Sequence, residues 1–148
     1  MIICANPAAQ FEKYQIEKEE AVLRVMRSGS FILGDEVEAL ETEFAEYIGA
    51  KEAIGVANGT DAIYISLRAL EIGQGNEVIT TAYSWISTAE TIQQTGATPV
   101  FVDIHPDTYN IDVSKIEESI TSKTKAILPV HLYGQPADMT PILEICEH

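Results

Sequence analysis

Beyond Lys51 the chain alternates short apolar runs with helix-period stretches, and the spacing of that alternation leaves few folds open. The runs at 53–57, 77–81 (Glu-Val-Ile-Thr-Thr), 99–103 (Pro-Val-Phe-Val-Asp) and 125–130 (Lys-Ala-Ile-Leu-Pro-Val) start 22 to 26 residues apart. Helical patterns at 60–71, 85–95 and 112–121 separate them. Such intervals suit right-handed crossovers that lay successive strands parallel in one sheet. The strands are continuous apolar runs, as expected where helices cover both faces. The expectation is therefore an α/β fold, a mainly parallel sheet with helices on both faces. Ile63, Ser66, Leu67 and Leu70 mark one mostly apolar stripe of the first helix, Ile86, Ala89 and Ile92 one face of the second, and Val113, Ile116 and Ile120 one face of the third.

Two further amphipathic patterns precede this array, at 14–28 and 35–48. Between them Ser30-Phe31-Ile32-Leu33-Gly34 reads as a glycine-bounded loop with an apolar centre. The organisation expected is an N-terminal helical segment over 1–50 and an αβα domain over 51–148.

Ligands on parallel sheets bind beyond the carboxyl ends of the strands. That edge should gather Asn58-Gly59-Thr60-Asp61, Ala82-Tyr83-Ser84-Trp85, Asp103-Ile104-His105 and His131-Leu132-Tyr133-Gly134. At Asn58-Gly59 an apolar run turns directly into a helix, aiming unpartnered N–H groups and the positive end of the helix dipole outward. Gly59 permits close approach of a phosphate and the Thr60 hydroxyl adds a donor. The same residues also read as an ordinary strand–turn–helix corner with Asn, Thr or Asp as N-cap. Trp85, the sole tryptophan, reads either as a core anchor or as a flat surface for a planar phosphorylated ligand. His131 reads either as a hydrogen-bonded structural histidine or as a proton shuttle.

Composition excludes several classes. With 9 basic against 23 acidic residues the net charge is −14, which disfavours nucleic acid and anionic membranes. No apolar run approaches membrane length, and the expected location is the cytoplasm. Cys4 and Cys146 read as reduced thiols, and His105, His131 and His148 lack ligand spacing, so no metal site is expected. No G-x-G-x-x-G follows any strand, which argues against a nicotinamide-binding domain. The pattern Met139, Ile142, Leu143, Cys146 is a helix that stops at His148 without a cap, and it reads as an interrupted chain.

Taken in order, Asn58-Gly59-Thr60-Asp61-Ala62, the stretch from Gly73 to Trp85, Gly96 to Ile104 and Pro129 to Met139 closely resemble the DegT-type nucleotide-sugar aminotransferases. These are pyridoxal-phosphate enzymes of the aspartate-aminotransferase fold, and the resemblance runs over essentially the whole chain. It implies that Gly59, Thr60 and Asp61 form the turn at the cofactor phosphate and that Trp85 stacks on the pyridine ring. Ser30, Phe31 and Ile32 would lie near the sugar-nucleotide entrance. It further implies a homodimer that uses glutamate as amino donor and a nucleotide-linked keto-sugar as acceptor. The family's Schiff-base lysine and its pyridinium-pairing aspartate have no counterpart here and are expected beyond His148. The lysines at 13, 18, 51, 115, 123 and 125 do not match that segment. A non-catalytic binding or dimerisation remnant, and a dehydratase relative, therefore stay open.

Overall fold

A computed structural model describes residues 5–147. Cys4 and His148, named above, lie outside them. The chain divides into two compact units, Met1–Gly55 and Val56–His148.

The first unit holds three helices. α1 (Pro7–Lys13) starts where the Asn6 side chain accepts from the Ala9 N–H at 3.2 Å and Pro7 supplies a pre-set φ. The sequence pattern begins at 14 and indicates no helix over 7–13; α2 (Gln15–Ser28) begins directly after Tyr14. α3 (Asp35–Ile48) has Asp35, Glu36 and Glu38 in its first turn, favourable at the positive end of the dipole. Both α2 and α3 end on glycines with positive φ, Gly29 and Gly49. Only Ala45 is buried in these helices, and α3 keeps Leu40, Phe44, Tyr47 and Ile48 exposed.

The second unit is an α/β layer. Its strands β1 (Glu77–Thr81), β2 (Thr98–Val102) and β3 (Thr124–Ile127) form a parallel sheet in the order β2-β1-β3. The register runs from Glu77 opposite Thr98 to Thr81 opposite Val102, while an irregularity after Glu77 leaves Lys125 outside the β1–β3 pairing. As side chains alternate, Val78 packs with Leu67, Ile72, Ile92 and Ala97 on one face. Ile79 packs with Val102, Ile111, Ile116, Ala137 and Ile142 on the other. α4 (Gly59–Ala69) and α5 (Ser87–Gln94) cover the first face, and α6 (Met139–Cys146) covers the second.

Three expectations are corrected. Residues 53–57 join no ladder: a strand needs a neighbour, and the Gly55 N–H instead donates to the Glu41 carboxylate at 2.6 Å. Ile54 is left exposed. The helix expected over 112–121 is two 3-10 turns, Val113–Lys115 and Glu117–Ser119, because Asp112 caps Ser114 and Ile120 leaves helical geometry at ψ 131°. Ile116 alone of that stripe is buried. Finally, α5 buries Ser87, Thr88, Thr91 and Ile92, whereas Ile86 lies outside the core. The Thr91 hydroxyl, and that of the cap residue Thr95, donate back to carbonyls three or four residues earlier, while the Thr88 hydroxyl pairs with that of Ser84 at 2.8 Å.

Candidate functional site

The site is built where β1 ends and α4 begins. The carboxyl end of α4 is fixed at the amino edge of the sheet: the Gly73 N–H donates to Asn76 Oδ1 at 3.0 Å, and the Asn76 carbonyl accepts from Thr98 N–H at 2.9 Å. Eleven residues of helix rise about 16 Å. A five-residue strand covers a similar distance, about 17 Å. The N-terminus of α4 is thereby carried to the carboxyl edge, where Trp85 follows β1.

The start of α4 is set by Asn58. Its Oδ1 accepts from the Asp61 N–H at 2.9 Å, and its Nδ2 donates to Asp61 Oδ2 at 3.1 Å. Of the N-cap alternatives left open by the sequence, the structure selects Asn58. This reciprocal pair satisfies the third N–H and leaves Gly59 and Thr60, the first two helical residues, with no intrahelical acceptor. A Cβ built on Gly59 meets nothing within 4 Å, and its φ is not in the left-handed region. The glycine is therefore required neither by packing nor by backbone conformation, and the space over it is open. A phosphate, with several acceptor oxygens, fits this cradle. Asp61 is used differently: its carboxylate is turned to the cap and adds negative charge where a phosphate would sit.

Trp85 is 78% exposed, with a flat ring available after β1. Tyr83, two residues earlier, has its hydroxyl 3.3 Å from that of Tyr133 and its ring 5.7 Å from that of Tyr109. The Tyr83 phenol is pushed above its ordinary range, first by the hydrogen bond to Tyr133 and then by its electrostatic influence. His131 accepts at Nδ1 from the Ala137 N–H at 3.0 Å, the arrangement of a structural histidine that braces the loop before α6. Tyr109 and Asn110 were not singled out by the sequence. Their only signal there is a polar turn, Asp107-Thr108-Tyr109-Asn110.

Lys115 is the lysine tied to the carboxyl end of β2, through Asp103 at 3.6 Å and Asp112 at 3.3 Å. The hydrogen bond to Asp112, chiefly, raises its pKa and holds it protonated. An amine that forms a Schiff base needs the opposite environment. Lys123 and Lys125 sit at the amino end of β3.

Ser30, Phe31 and Ile32 lie in the first unit, in the loop between α2 and α3. Phe31 and Ile32 are exposed. Gly34 is needed to end this loop, because a Cβ there would lie 2.8 Å from the Ser30 carbonyl. Among the described residues, no helix is long and apolar enough to cross a membrane, and no cluster of His, Cys, Asp or Glu side chains could hold a metal.

Residues 13–148 match the DegT/DnrJ/EryC1/StrS aminotransferase family. The chain belongs to this family. A family relative from Aneurinibacillus thermoaerophilus, dTDP-3-amino-3,6-dideoxy-alpha-D-galactopyranose transaminase, is 53% identical over 130 residues, 88% of this chain and 36% of the relative. DesV of S. venezuelae, solved in complex with a ketimine intermediate, superposes at a TM-score of 0.94 with 42% identity. That match covers 96% of this chain and 38% of DesV. The sugar aminotransferase Spr1654 of Streptococcus pneumoniae, described as putative and solved in its PLP form, gives 0.81 and 35% identity over 84% of this chain and 32% of its own. The chain thus spans about a third of the length of these relatives and corresponds to the N-terminal part of the family.

Proposed function

We propose that this chain forms the cofactor-phosphate and ring-binding part of a pyridoxal-phosphate-dependent aminotransferase acting on a nucleotide-linked keto-sugar, with glutamate as amino donor. In this reading 1–50 is the N-terminal helical segment, 51–148 the first part of the large domain, and the cytoplasm the location. One observation carries it: the N-terminus of α4 is open over Gly59, and the length of that helix brings it towards the edge where Trp85 is exposed. Bound there, pyridoxal phosphate would supply a conjugated ring that withdraws the electron pair left at the amino-bearing carbon. Gly59 and Thr60 would hold the phosphate through backbone N–H groups, with the Thr60 hydroxyl as a further donor. Asn58 and Asp61 keep the helix start in place. Trp85 would cover one face of the ring and keep water from it.

The second reading, a non-catalytic binding or dimerisation segment, is favoured by the ion-paired state of Lys115. Borohydride trapping with pyridoxal phosphate, followed by peptide mapping, separates the two. The 148-residue chain should show no amino transfer from glutamate and only scattered, substoichiometric lysine labels. One lysine labelled stoichiometrically, together with transfer, would place the chemical centre within these residues.

Association as a homodimer is part of the proposal. In the first unit α2 exposes Ile16, Val22 and Met26, and in the second Ile86 is more than two-thirds exposed. Apolar surface of this extent favours association. Light scattering should give about twice the monomer mass. A monomer at high concentration would count against it.

A further inference from the structure

Asn110 is 4% exposed, and each of its side-chain hydrogen bonds reaches into another loop. Its Nδ2 donates to the carbonyls of Gln135 and Pro136 at 3.1 and 3.0 Å, and its Oδ1 accepts from the Leu132 N–H at 3.1 Å. Those three backbone groups bracket Tyr133, and Asn110 itself follows Tyr109. One buried amide thus fixes two tyrosine-bearing loops, one after β2 and one after β3. Both tyrosines adopt the left-handed region, with φ of 60° and 55°. That conformation is strained for a bulky residue, and such strain gathers at ligand-binding positions.

Tyr83, from the loop after β1, completes the group. Its ring lies 5.7 Å from that of Tyr109 at an interplanar angle of 34°, and its hydroxyl meets that of Tyr133. Whichever hydroxyl donates within the pair, the acceptor's own O–H stays available to a ligand. The three residues are 45%, 47% and 84% exposed for Tyr83, Tyr109 and Tyr133. No cation takes part in these contacts, so a phosphate finds no counter-charge in them. A neutral ring bearing hydroxyls finds both aromatic faces and a phenol donor.

We propose that Tyr83, Tyr109 and Tyr133, held in position by Asn110, recognise the neutral sugar ring of the nucleotide-linked substrate. The inference rests on reading α4 and Trp85 as the cofactor site: the carbon that accepts the amino group must lie over the cofactor ring, and Tyr83 shares the Trp85 loop.

The test is a titration of the chain carrying 13C-labelled tyrosine rings and 15N-labelled amides, followed by NMR. The probes are dTDP-glucose and UDP-N-acetylglucosamine, with dTDP and UDP alone in parallel. The sugar-bearing probes should shift the ring signals of Tyr83 and Tyr133, and the bare nucleotides should not. Tyr83→Phe keeps the ring, removes one hydroxyl and should weaken binding about three- to tenfold. Equal shifts from bare nucleotides, or silent tyrosines with every probe, would overturn the proposal. Pyridoxamine 5′-phosphate added to the same sample reports separately at the Gly59 and Thr60 amides. Shifts there with silent tyrosines would remove the sugar surface and keep the cofactor site; silence at both would remove both.

Discussion

Replacing Gly59 with alanine is expected to leave the fold intact and to weaken binding of pyridoxamine 5′-phosphate about ten- to a hundredfold, the loss of one or two charge-assisted hydrogen bonds. The two effects separate because the added methyl meets no protein atom within 4 Å. At a helix start with unstrained φ, alanine in place of glycine should stabilise the chain by up to about 1 kcal/mol. The methyl would instead occupy the open space where phosphate oxygens approach the N–H groups. Thermal melting and equilibrium dialysis on the same variant check both halves. A lowered melting temperature, or an affinity unchanged from the parent, would remove Gly59 from the site. Asp61→Asn should act in the other direction. It keeps an acceptor for Asn58 Nδ2 and removes a like charge from the positive helix end, so binding should tighten about two- to fivefold.

The second large effect contrasts Ile79 with Trp85. Ile79 is wholly buried at the centre of β1 and belongs to the cluster formed with Val102, Ile116 and Ile142. Ile79→Ala should lower unfolding free energy by about 2–5 kcal/mol through lost burial and the cavity left behind. Trp85→Ala removes a larger side chain, yet one 78% exposed, and should change stability by no more than about 0.5 kcal/mol. Its effect should appear in cofactor binding, about 1–3 kcal/mol, the range of aromatic stacking on ring ligands. Urea unfolding followed by far-ultraviolet circular dichroism, and dialysis against pyridoxamine 5′-phosphate, distinguish them. Comparable stability losses for both variants would mean that Trp85 packs rather than presents its ring.

The parallel sheet was legible because each strand of it is a short apolar run closed by turn residues; β1 has the bounds that the sequence indicated. Residues 53–57 have the same local pattern and form no ladder, since pairing is decided by a neighbour and not by the run itself. The 112–121 segment misled in a different way. Its apolar spacing is helical, but Asp112 and Ser114 offer the backbone a competing turn, and only Ile116 reaches the core. Likewise the buried side of α5 carries Thr88 and Thr91, whose polarity is hidden by bonds to the Ser84 hydroxyl and to the Ser87 carbonyl. In the site, the open turn at Gly59-Thr60 was readable, because helix chemistry alone demands unpartnered N–H groups there. The use of Asp61 as half of a reciprocal cap was not, nor was Asn110, whose partners lie at Leu132, Gln135 and Pro136. A contact across more than twenty residues leaves no mark on local composition.

The central claim is that the N-terminus of α4 holds the cofactor's phosphate while Trp85 carries its ring. Because Trp85 is the sole tryptophan, its emission reports from one known place. Pyridoxamine 5′-phosphate and pyridoxamine share the ring, differ in the phosphate and carry no aldehyde to react with surface lysines. The decisive measurement is the quenching of Trp85 emission by each, with inner-filter correction. The account expects saturable quenching by the phosphorylated compound, at least about tenfold tighter than by pyridoxamine, the margin set by the phosphate hydrogen bonds. Quenching by both at the same concentration, or by neither, would contradict it.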